Sequence, residues 1–302
     1  DYNTHRDFGS GDKICYHGVT DMFRIDKIAA GVYISQQNET PYLEISSNME
    51  IGDSAGGHVG NVYVFTNCDE VKLYKNGKHI NTFNIKEERL KSEFKYLPNP
   101  PVILDDIIGN QLEHEEHHFS KREAKHVKKA LLDIKKYAPF RAALKNVFML
   151  FYVMSKYKMG LGEMTEMYGR YVTSWGGKQV SYKFEGYKDG ELVATVEKGA
   201  MTDSHLYAKA DTKSLIEDET YDVTRIEIKA LSQYNNVLPY DNSVIDIETN
   251  DVLDVIGPKA VALIGGQIAF WVKTKGVSGE GIVKIHNAKL GDKEIKINVI
   301  KK

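Results

Sequence analysis

Three polar side chains at the start of the chain, Asp1, Asn3 and His5, are of types that bind ligands through hydrogen bonds. They lie in the stretch DYNTHRDFGSGDKICYHG, which is rich in Gly, Asp and His and shows no period. Such a stretch is typical of a loop. On residue types alone, a polar loop is the favoured interpretation and a binding role is the alternative.

A run of acidic residues and histidines is a candidate metal site. It comprises Glu113, His114, Glu115, Glu116, His117 and His118, with His126 further along the chain. On a helix His114 and His118 would share one face, as two zinc ligands do. However, the spacing is not that of HExxH and no third ligand is fixed. A solvated charged turn is therefore favoured, and neither a metal nor a cofactor is predicted.

Four aromatic residues are candidates for a sugar-stacking platform, because flat rings cover the apolar faces of pyranoses: Trp175, Tyr182, Tyr187 and Trp271. Trp271 lies within IAFWVKT, where a sandwich core commonly takes an aromatic residue. Core packing is favoured for it. Trp175, flanked by Gly in YVTSWGGK, is the better candidate for an exposed ring, although packing is favoured there too.

Short glycine motifs and one cysteine complete the candidates. GSG at 9–11 and IGG at 264–266 lack the strand–GxGxxG–helix context of a phosphate-binding loop. Cys15 lies near His17, but no third group is identifiable to orient a thiol nucleophile. No catalytic residue is predicted from these motifs.

The elements that would position these residues follow from hydrophobic periodicity. Apolar residues at helical spacing over 19–36 predict one amphipathic helix: Val19, Met22, Phe23, Ala30 and Tyr33. Residues 42–96 have strand character, and Asn76-Gly77 between two short apolar runs predicts a hairpin with a type I′ turn. The prolines of YLPNPP end this strand pattern.

Helices are predicted next. Ser120 and Glu123 form a capping box, and Ala124, Val127, Leu131 and Ile134 then line one face. A second helix is predicted over 140–158, ending at Gly160, with a buried apolar run at Phe148, Leu150, Phe151 and Val153. A third, short helix covers 163–168.

Strand character returns at Val180, with a second hairpin signal at Asp189-Gly190. The segments YDVTRIEIKAL, SVIDIE, IAFWVKT, GIVKIHN and KEIKINVIK then follow at sandwich-like spacing. The order of loop and helix, strands, helices and strands predicts a mainly β protein. A helical insertion at 98–170 interrupts the first of two β-sandwiches.

The bulk composition is that of a folded protein. The chain has 302 residues, 42% of them hydrophobic, and a net charge of −2, which gives no electrostatic footprint for nucleic acid or a membrane surface. Two cysteines exclude a disulfide framework, and reduced thiols are favoured. The most apolar stretch, 147–153, is too short to span a bilayer. Asp1 in place of methionine indicates a chain trimmed from something longer.

The first 36 residues resemble the end of the catalytic barrel in family 2 glycoside hydrolases, especially β-galactosidases. The residues that carry the likeness are Asp1 to His5, Phe8 to Asp12, Cys15 to Gly18, Asp21, Phe23, Arg24, Lys27 and Tyr33 to Gln36. The resemblance implies that 1–36 is the loop and last helix of a (β/α)₈ barrel. It covers about the first eighth of the chain.

Two weaker stretches agree with this resemblance. TNCDEVKLYKNGKHI and YKDGELVATVEKG resemble the immunoglobulin-like module that follows the barrel, which implies a sandwich over 37–210. Residues 211–302, with Asp211, Asp222 and Gly257, resemble a second immunoglobulin-like domain. The helical block at 98–170 departs from the common family pattern, and we expect it to be excisable.

The resemblance implies where chemistry would occur. Retaining glycosidases use two carboxylates, one as acid and one as nucleophile. In this family both are glutamates on earlier barrel strands, so none is expected here and the chain alone is predicted to be inactive. Active sites of such barrels gather at the carboxyl ends of the strands. Asp1, Asn3 and His5 would therefore lie at the rim of the sugar pocket in the parent enzyme.

Two functions from different classes follow. The first is an accessory C-terminal region of a β-galactosidase-like enzyme, with the rest of the barrel and, through it, a carbohydrate substrate as partners. Association with a second copy of the chain is compatible with it. The alternative is a free-standing carbohydrate-binding or adhesion module. The helix at 19–36 is expected to dock on the sandwich that follows it, because its apolar stripe would otherwise face water.

Overall fold

The computed structural model describes residues 18–47, 49, 60–116, 119–173 and 180–302, and within these the side chains of all but 136–150. The chain divides into two compact units. We call Gly31–Ala200 the first sandwich. We call Met201–Lys302, together with residues up to Ala30, the second sandwich. The protein is mainly β with a helical insertion, as predicted.

Within its described residues, the first sandwich contains seven strands and most of the helical residues. Its elements before the insertion are helix α1 (Ala30–Ile34), strands β1 (Leu43–Ile45), β2 (Tyr63–Thr66), β3 (Glu70–Lys75) and β4 (Lys78–Asn84), helix α2 (Ile85–Arg89) and strand β5 (Val102–Ile103). The insertion consists of helices α3 (Gln111–Glu115), α4 (Lys121–Tyr157) and α5 (Leu161–Tyr168) and a π-helical turn, Gly169–Thr173. Strands β6 (Ser181–Lys188) and β7 (Glu191–Gly199) complete the unit.

Two sheets form this unit, and both predicted hairpins are confirmed. One sheet has the order β1-β2-β5 and the other β4-β3-β6-β7. The β3–β4 turn places Asn76 and Gly77 at φ 49° and 77°, and the β6–β7 turn places Asp189 and Gly190 at 51° and 83°. Positive φ at both central residues is what a type I′ turn requires.

The insertion begins later than predicted and is not separate from the sandwich. Strand β5 pairs with β2 at residues 102 and 103, and the first helix after it begins at Gln111, so the prediction of helix from 98 is wrong. Side chains of the insertion, including Leu112, Val127 and Leu131, share one buried cluster with strand residues such as Val64 and Leu73. A single core therefore spans strands and helices.

Helix α4 begins as predicted at the capping box, with the Ser120 hydroxyl accepting from the Glu123 amide and the Glu123 carboxylate from the Ser120 amide. Its backbone is helical over the full 37 residues. It is not straight, because His126 and Tyr157, 31 residues apart, are in hydrogen-bond contact at 2.5 Å. A straight helix would separate them by about 46 Å. The helix axis therefore bends back between His126 and Tyr157.

The end of α4 differs from the prediction in detail. Lys158 occupies the left-handed region with φ 55° and caps the helix, whereas Gly160 precedes α5 as its N-cap. Of the predicted buried run, Val153 is buried and Phe151 is 64% exposed; the side chains of Phe148 and Leu150 lie outside the described ones. Among the described residues, no helix has the length and apolarity that crossing a membrane requires.

The second sandwich contains nine strands in the part that the structure describes. They are β8 (Ser204–Ala210), β9 (Ser214–Glu217), β10 (Val223–Ser232), β11 (Val244–Thr249), β12 (Leu253–Ile256), β13 (Ala260–Ala262), β14 (Gln267–Thr274), β15 (Gly279–Asn287) and β16 (Gly291–Lys301). The sheets have the orders β12-β14-β10-β8 and β13-β11-β15-β16-β9, with β9 parallel to β16. Apart from β9 and β13, these are the four-stranded and three-stranded sheets of an immunoglobulin-type sandwich.

Two predicted boundaries are corrected by strand pairing. Strand β8 pairs with β10 along its whole length, so residues 204–210 belong to the second sandwich and the boundary at 210 lies about ten residues too late. The predicted helix over 19–36 is wrong for most of its length. Only Ala30–Ile34 is helical, and residues before it form a tight turn closed by a Thr20–Asp26 bridge.

Candidate functional site

The residues predicted to contact sugar, Asp1, Asn3 and His5, lie outside the described residues, as do Cys15, His17 and Trp175. The described chain begins at Gly18 and enters a turn within two residues. The Lys27 amide donates to the Val19 carbonyl at 2.9 Å, and the Asp21 amide to the Ile25 carbonyl at 3.0 Å. We call residues 19–27 the anchor turn.

Asp21 organises the anchor turn from inside. Its side chain is almost fully buried, and one carboxylate oxygen accepts from the amides of Phe23 at 2.8 Å and Ile25 at 2.9 Å. A carboxylate that bonds amides two and four residues onward stabilises a tight turn. This geometry forces Arg24 into the left-handed region, with φ 61°. The Asp-x-Phe-Arg motif is therefore a turn rather than part of a helix.

Arg225 on β10 holds the anchor turn against the second sandwich. Its guanidinium forms a bidentate pair with Asp211, with Nε–Oδ2 and Nη2–Oδ1 both at 3.0 Å. Nη1 donates to the carbonyls of Phe23 at 2.6 Å and Arg24 at 3.0 Å. The Asp211 carboxylate raises the pKa of Arg225, so this group stays charged. One side chain thus joins segments 202 residues apart.

An aromatic contact supports the same attachment. Phe23 lies against Trp271 with ring centroids 6.4 Å apart, and Trp271 is the direct cross-strand neighbour of Arg225. Trp271 is half-buried, and it alternates along β14 with Phe270 and Val272, which belong to the core. The prediction that Trp271 is a core residue is therefore wrong. It lies on the outer face of the sheet, where Phe23 covers it in part.

In the acidic and histidine run, Glu113, His114 and Glu115 lie exposed on helix α3 rather than in the predicted charged turn, whereas Glu116 and His126 contact other elements. Glu116 accepts from Arg170 at 2.7 Å and from the Tyr171 hydroxyl at 2.8 Å, joining α3 to the π-helical turn. His126 contacts Tyr157 across the folded helix. His117 and His118 lie outside the described residues. Within the described part of the chain no group of three or more His, Cys, Asp or Glu side chains is arranged to hold a metal.

Two of the residues proposed for a sugar-stacking platform, Tyr182 and Tyr187, have rings that are covered by the rest of the protein. Tyr182 is buried, which raises its pKa. The Tyr187 ring is covered by the Lys72 ammonium at 4.1 Å, and its hydroxyl donates to Glu185 at 2.8 Å, which raises the pKa of Tyr187 to about 12. Neither ring is free to stack on a sugar.

Two buried lysines were not singled out by sequence. Lys75 donates to the carbonyls of Arg170 and Tyr171, each at 3.1 Å, and burial lowers its pKa to about 8. Lys135 is fully buried and contacts the Gly60 carbonyl at 3.0 Å and Asp105 at 3.1 Å. Both lysines bond backbone carbonyls from within regular elements. Periodicity is the signal that could have found them, because Lys75 follows Val71 and Leu73 on the inward face of β3, and Lys135 follows Leu131 by four residues on the buried face of α4.

Cys68 is a buried free thiol, in line with the preference for reduced cysteines. Its burial raises the pKa, and its amide donates to the Thr66 hydroxyl at 3.0 Å. A buried thiol of raised pKa is a poor nucleophile.

Comparison with known proteins gives no matching family model. The β-galactosidase of Thermoanaerobacterium thermosulfurigenes is 33% identical over 271 residues, which cover 88% of this chain and 29% of that protein. The β-galactosidase of Thermoanaerobacter pseudethanolicus is 27% identical and covers 94% of the chain. The chain therefore spans less than a third of the length of these relatives.

Solved structures share the fold at low sequence identity. A β-glycosidase from Bacteroides vulgatus covers 95% of the chain with a TM-score of 0.57 at 14% identity. A β-glucuronidase from glycoside hydrolase family 2 covers 96% with a TM-score of 0.53 at 14% identity. In both cases the match uses less than a third of the other protein, 28% and 23%.

Proposed function

We propose that this chain, which corresponds to a region of family 2 glycoside hydrolases, supports the sugar site of a β-galactosidase-like enzyme from outside its catalytic centre. The observation that carries the proposal is the 33% identity to a β-galactosidase over 88% of the chain. The motif residues Asp21, Phe23 and Arg24 agree with it, because all three build the anchor turn. The free-standing binding module considered above has no comparable support.

In this proposal the two sandwiches are accessory, and residues 1–36 belong to the catalytic barrel. Asp1, Asn3 and His5 would hydrogen-bond sugar hydroxyls at the rim of the pocket, and two glutamates elsewhere in the barrel would act as acid and nucleophile. The barrel is the proposed partner of the described surface near the anchor turn. Met22 and Ile28 are 55% and 54% exposed there, and burying such side chains is favourable.

The proposal is tested by comparing this chain with the whole enzyme on an aryl β-galactoside. We expect turnover from the whole enzyme and none from the chain. In the whole enzyme, Asn3→Ala and His5→Ala should raise KM, whereas Lys259→Ala on the second sandwich should leave KM unchanged. Hydrolysis by the chain alone, abolished by one Asp or Glu substitution within it, would contradict the proposal.

A further inference from the structure

We infer that helix α4 docks this protein onto an anionic lipid surface, through a face that combines cations with exposed apolar side chains. The inference goes beyond the proposed function and does not depend on it. Helix α4 carries ten Lys and Arg residues and two acidic ones, whereas the whole chain has 40 Lys and Arg against 42 Asp and Glu. The near-zero net charge of the chain, which predicts no membrane surface as partner, averages over this local excess of positive charge.

The first arm of α4, residues 121–129, presents its cations to solvent. Arg122, Lys125 and Lys129 are three and four residues apart and therefore follow one face of the helix. All three are exposed, as is Lys121. Two other lysines of the helix pair with carboxylates of the first sandwich, whereas these four form no ion pair with a carboxylate among the described residues. Their charges are therefore available to an anionic partner.

The second arm of α4, residues 151–157, joins this face through an aromatic cluster. The His126 ring lies against the rings of Tyr152 and Tyr157, with centroids 5.5 and 6.0 Å apart. Lys156 donates to the Tyr152 hydroxyl at 2.6 Å. This bond and the charges of Lys156 and Arg122 lower the pKa of Tyr152, so cations of both arms act on one ring. We call the resulting surface the cationic face: Lys121, Arg122, Lys125, Lys129 and Lys156.

Exposed apolar side chains accompany the cationic face. Phe151 precedes Tyr152 on the second arm, and Leu161 begins α5; each is 64% exposed. Large apolar side chains are unfavourable in water, and at a lipid interface they enter the boundary between headgroups and acyl chains. Lysine and tyrosine suit the headgroup level, because each has an apolar body and a polar tip. This combination is that of a helix that lies on a membrane surface.

The contacts favour a lipid surface over a nucleic acid. Single-stranded nucleic acids stack their bases on open aromatic faces. The Tyr152 and Tyr157 rings are packed instead against His126, against each other and against the Lys156 ammonium, at 4.9 and 5.9 Å from the two ring centroids. A headgroup layer needs no such platform, since it offers a plane of negative charge to the cations that face it. The phosphates of a nucleic acid would attract the same cations and leave Phe151 in water.

The first measurement is cosedimentation of this chain with phosphatidylcholine vesicles that contain or lack phosphatidylglycerol. We expect binding that requires phosphatidylglycerol and weakens as the salt concentration is raised. The triple variant Arg122→Gln, Lys125→Gln, Lys129→Gln should bind about a hundredfold more weakly, because each cation at an anionic surface is worth roughly fivefold in affinity. Absence of binding to the anionic vesicles at low salt would overturn the inference.

A charge-matched control removes three exposed lysines of the second sandwich: Lys213→Gln, Lys259→Gln and Lys284→Gln. This control should bind like the unaltered chain. Equal losses in the two triple variants would mean that net charge, rather than the cationic face, draws the chain to lipid, and would overturn the inference. Lys125→Gln alone, with an expected loss of about fivefold, decides the question if circular dichroism shows that the first triple variant has lost helix.

The second measurement tests the apolar contribution. Phe151→Gln should weaken vesicle binding about tenfold, because the ring no longer enters the interface. Leu90→Gln, at a residue that is 78% exposed at the end of α2, should have no effect. Labelled single-stranded DNA, followed by fluorescence anisotropy, serves as a soluble polyanion. Tighter binding to DNA than to anionic vesicles at equal phosphate concentration, or vesicle binding unaffected by Phe151→Gln, would overturn lipid as the partner.

The third measurement repeats the vesicle assay with the whole enzyme and tests whether α4 is accessible beside the rest of that protein. We expect the whole enzyme to bind anionic vesicles as the chain does, and the first triple variant to leave turnover of an aryl β-galactoside unchanged. Binding by the chain but not by the whole enzyme would overturn the inference. A whole enzyme without glycosidase activity would overturn the proposed function alone, because vesicle binding is measured without substrate.

Discussion

The two sandwiches differ in which polar groups they bury. Among the described residues, the second sandwich buries small neutral side chains, Thr224, Ser232, Thr274 and Asn287, and two acidic side chains, Asp21 in the anchor turn and Asp241. The first sandwich buries four charged side chains: Lys75, Lys135, Glu185 and Lys198. Charged groups are thus buried mainly in the unit that carries the helical insertion.

This difference follows from how each unit satisfies its backbone. Regular strands bond one another, so the second sandwich has few carbonyls that need another donor. Where helices and loops meet a sheet, carbonyls are left without such partners. Lys75 and Lys135 reach them from β3 and α4. Arg225 does the same for the anchor turn, an irregular segment of the second sandwich, but from the outer face of the sheet.

The strongest test of this comparison removes the insertion. Replacing 111–173 by a short Gly/Ser linker should abolish the cooperative unfolding of the first sandwich and spare that of the second. The reason is that helix and strand side chains of the first sandwich shield each other from water. Four apolar side chains of the insertion are buried against strand residues: Leu112, Val127, Leu131 and Val153. Each such side chain contributes about 1.5–3 kcal/mol, which together approach the stability of a whole domain.

Differential scanning calorimetry with far-ultraviolet circular dichroism would measure this loss. The same linker inserted at Asp189-Gly190, without any deletion, is the control and should keep both transitions. Two intact transitions after deletion would restore the original expectation that the insertion is excisable.

The next largest loss of stability is expected when the buried ammonium of Lys135 is removed. Lys135→Ala should lower the free energy of unfolding of the first sandwich by about 3 kcal/mol, since the Gly60 carbonyl and the half-buried Asp105 carboxylate lose the fully buried ammonium that contacts both. Lys129→Ala, at an exposed position on the same helix, should change it by less than about 0.5 kcal/mol. Urea titration measures both. A loss below about 1 kcal/mol for Lys135→Ala would mean that the buried charge does not anchor the insertion.

A smaller loss of stability is expected when the capping box at the start of helix α4 is removed. Ser120→Ala removes the hydroxyl that accepts from the Glu123 amide and should cost about 1 kcal/mol. Ser155→Ala, exposed on the same helix, is the control. Equal stabilities of the two variants would show that the capping box does not contribute to folding.

Sequence patterns predicted the parts of the fold that local chemistry determines. Asn76-Gly77, Asp189-Gly190 and the capping box at Ser120 each depend on residues within a few positions, and each is present. Alternation over β16 likewise matches its buried residues Ile295, Ile297 and Val299. These features need no knowledge of the rest of the chain.

The failures come from tertiary context. The apolar residues Val19, Met22 and Phe23 follow a helical period, but Asp21 and Arg225 bind the backbone there in a turn instead. Strand β5 has two residues, too few to show a period in the sequence, and it is defined only by its pairing with β2. Arg225 and Asp211 are 14 residues apart and become partners only through the pairing of β8 with β10.

The smallest expected effect is a pH dependence of the stability of the first sandwich, caused by its buried Lys75. Its ammonium faces the carbonyls of Arg170 and Tyr171 and the Tyr182 ring at 5.8 Å. Burial lowers its pKa to about 8, and the Glu115 carboxylate opposes this shift. An unfolded lysine titrates near 10.4. Between these values the unfolded chain binds more protons than the folded one, so stability rises with pH.

We therefore expect the unfolding free energy of the first sandwich to increase by less than about 1 kcal/mol from pH 7.5 to 8.5, since one proton gives at most about 1.4 kcal/mol per pH unit. Cys68 acts in the opposite direction, because a raised thiol pKa loses stability as pH rises. The difference between the unaltered chain and Lys75→Met isolates the lysine. Lys183→Met, which removes a half-exposed ammonium of raised pKa from the same sheet, should leave the slope unchanged, because that ammonium stays charged over this range. A slope identical in the unaltered chain and Lys75→Met would mean that Lys75 stays charged over this range, and that carbonyl contacts offset its burial.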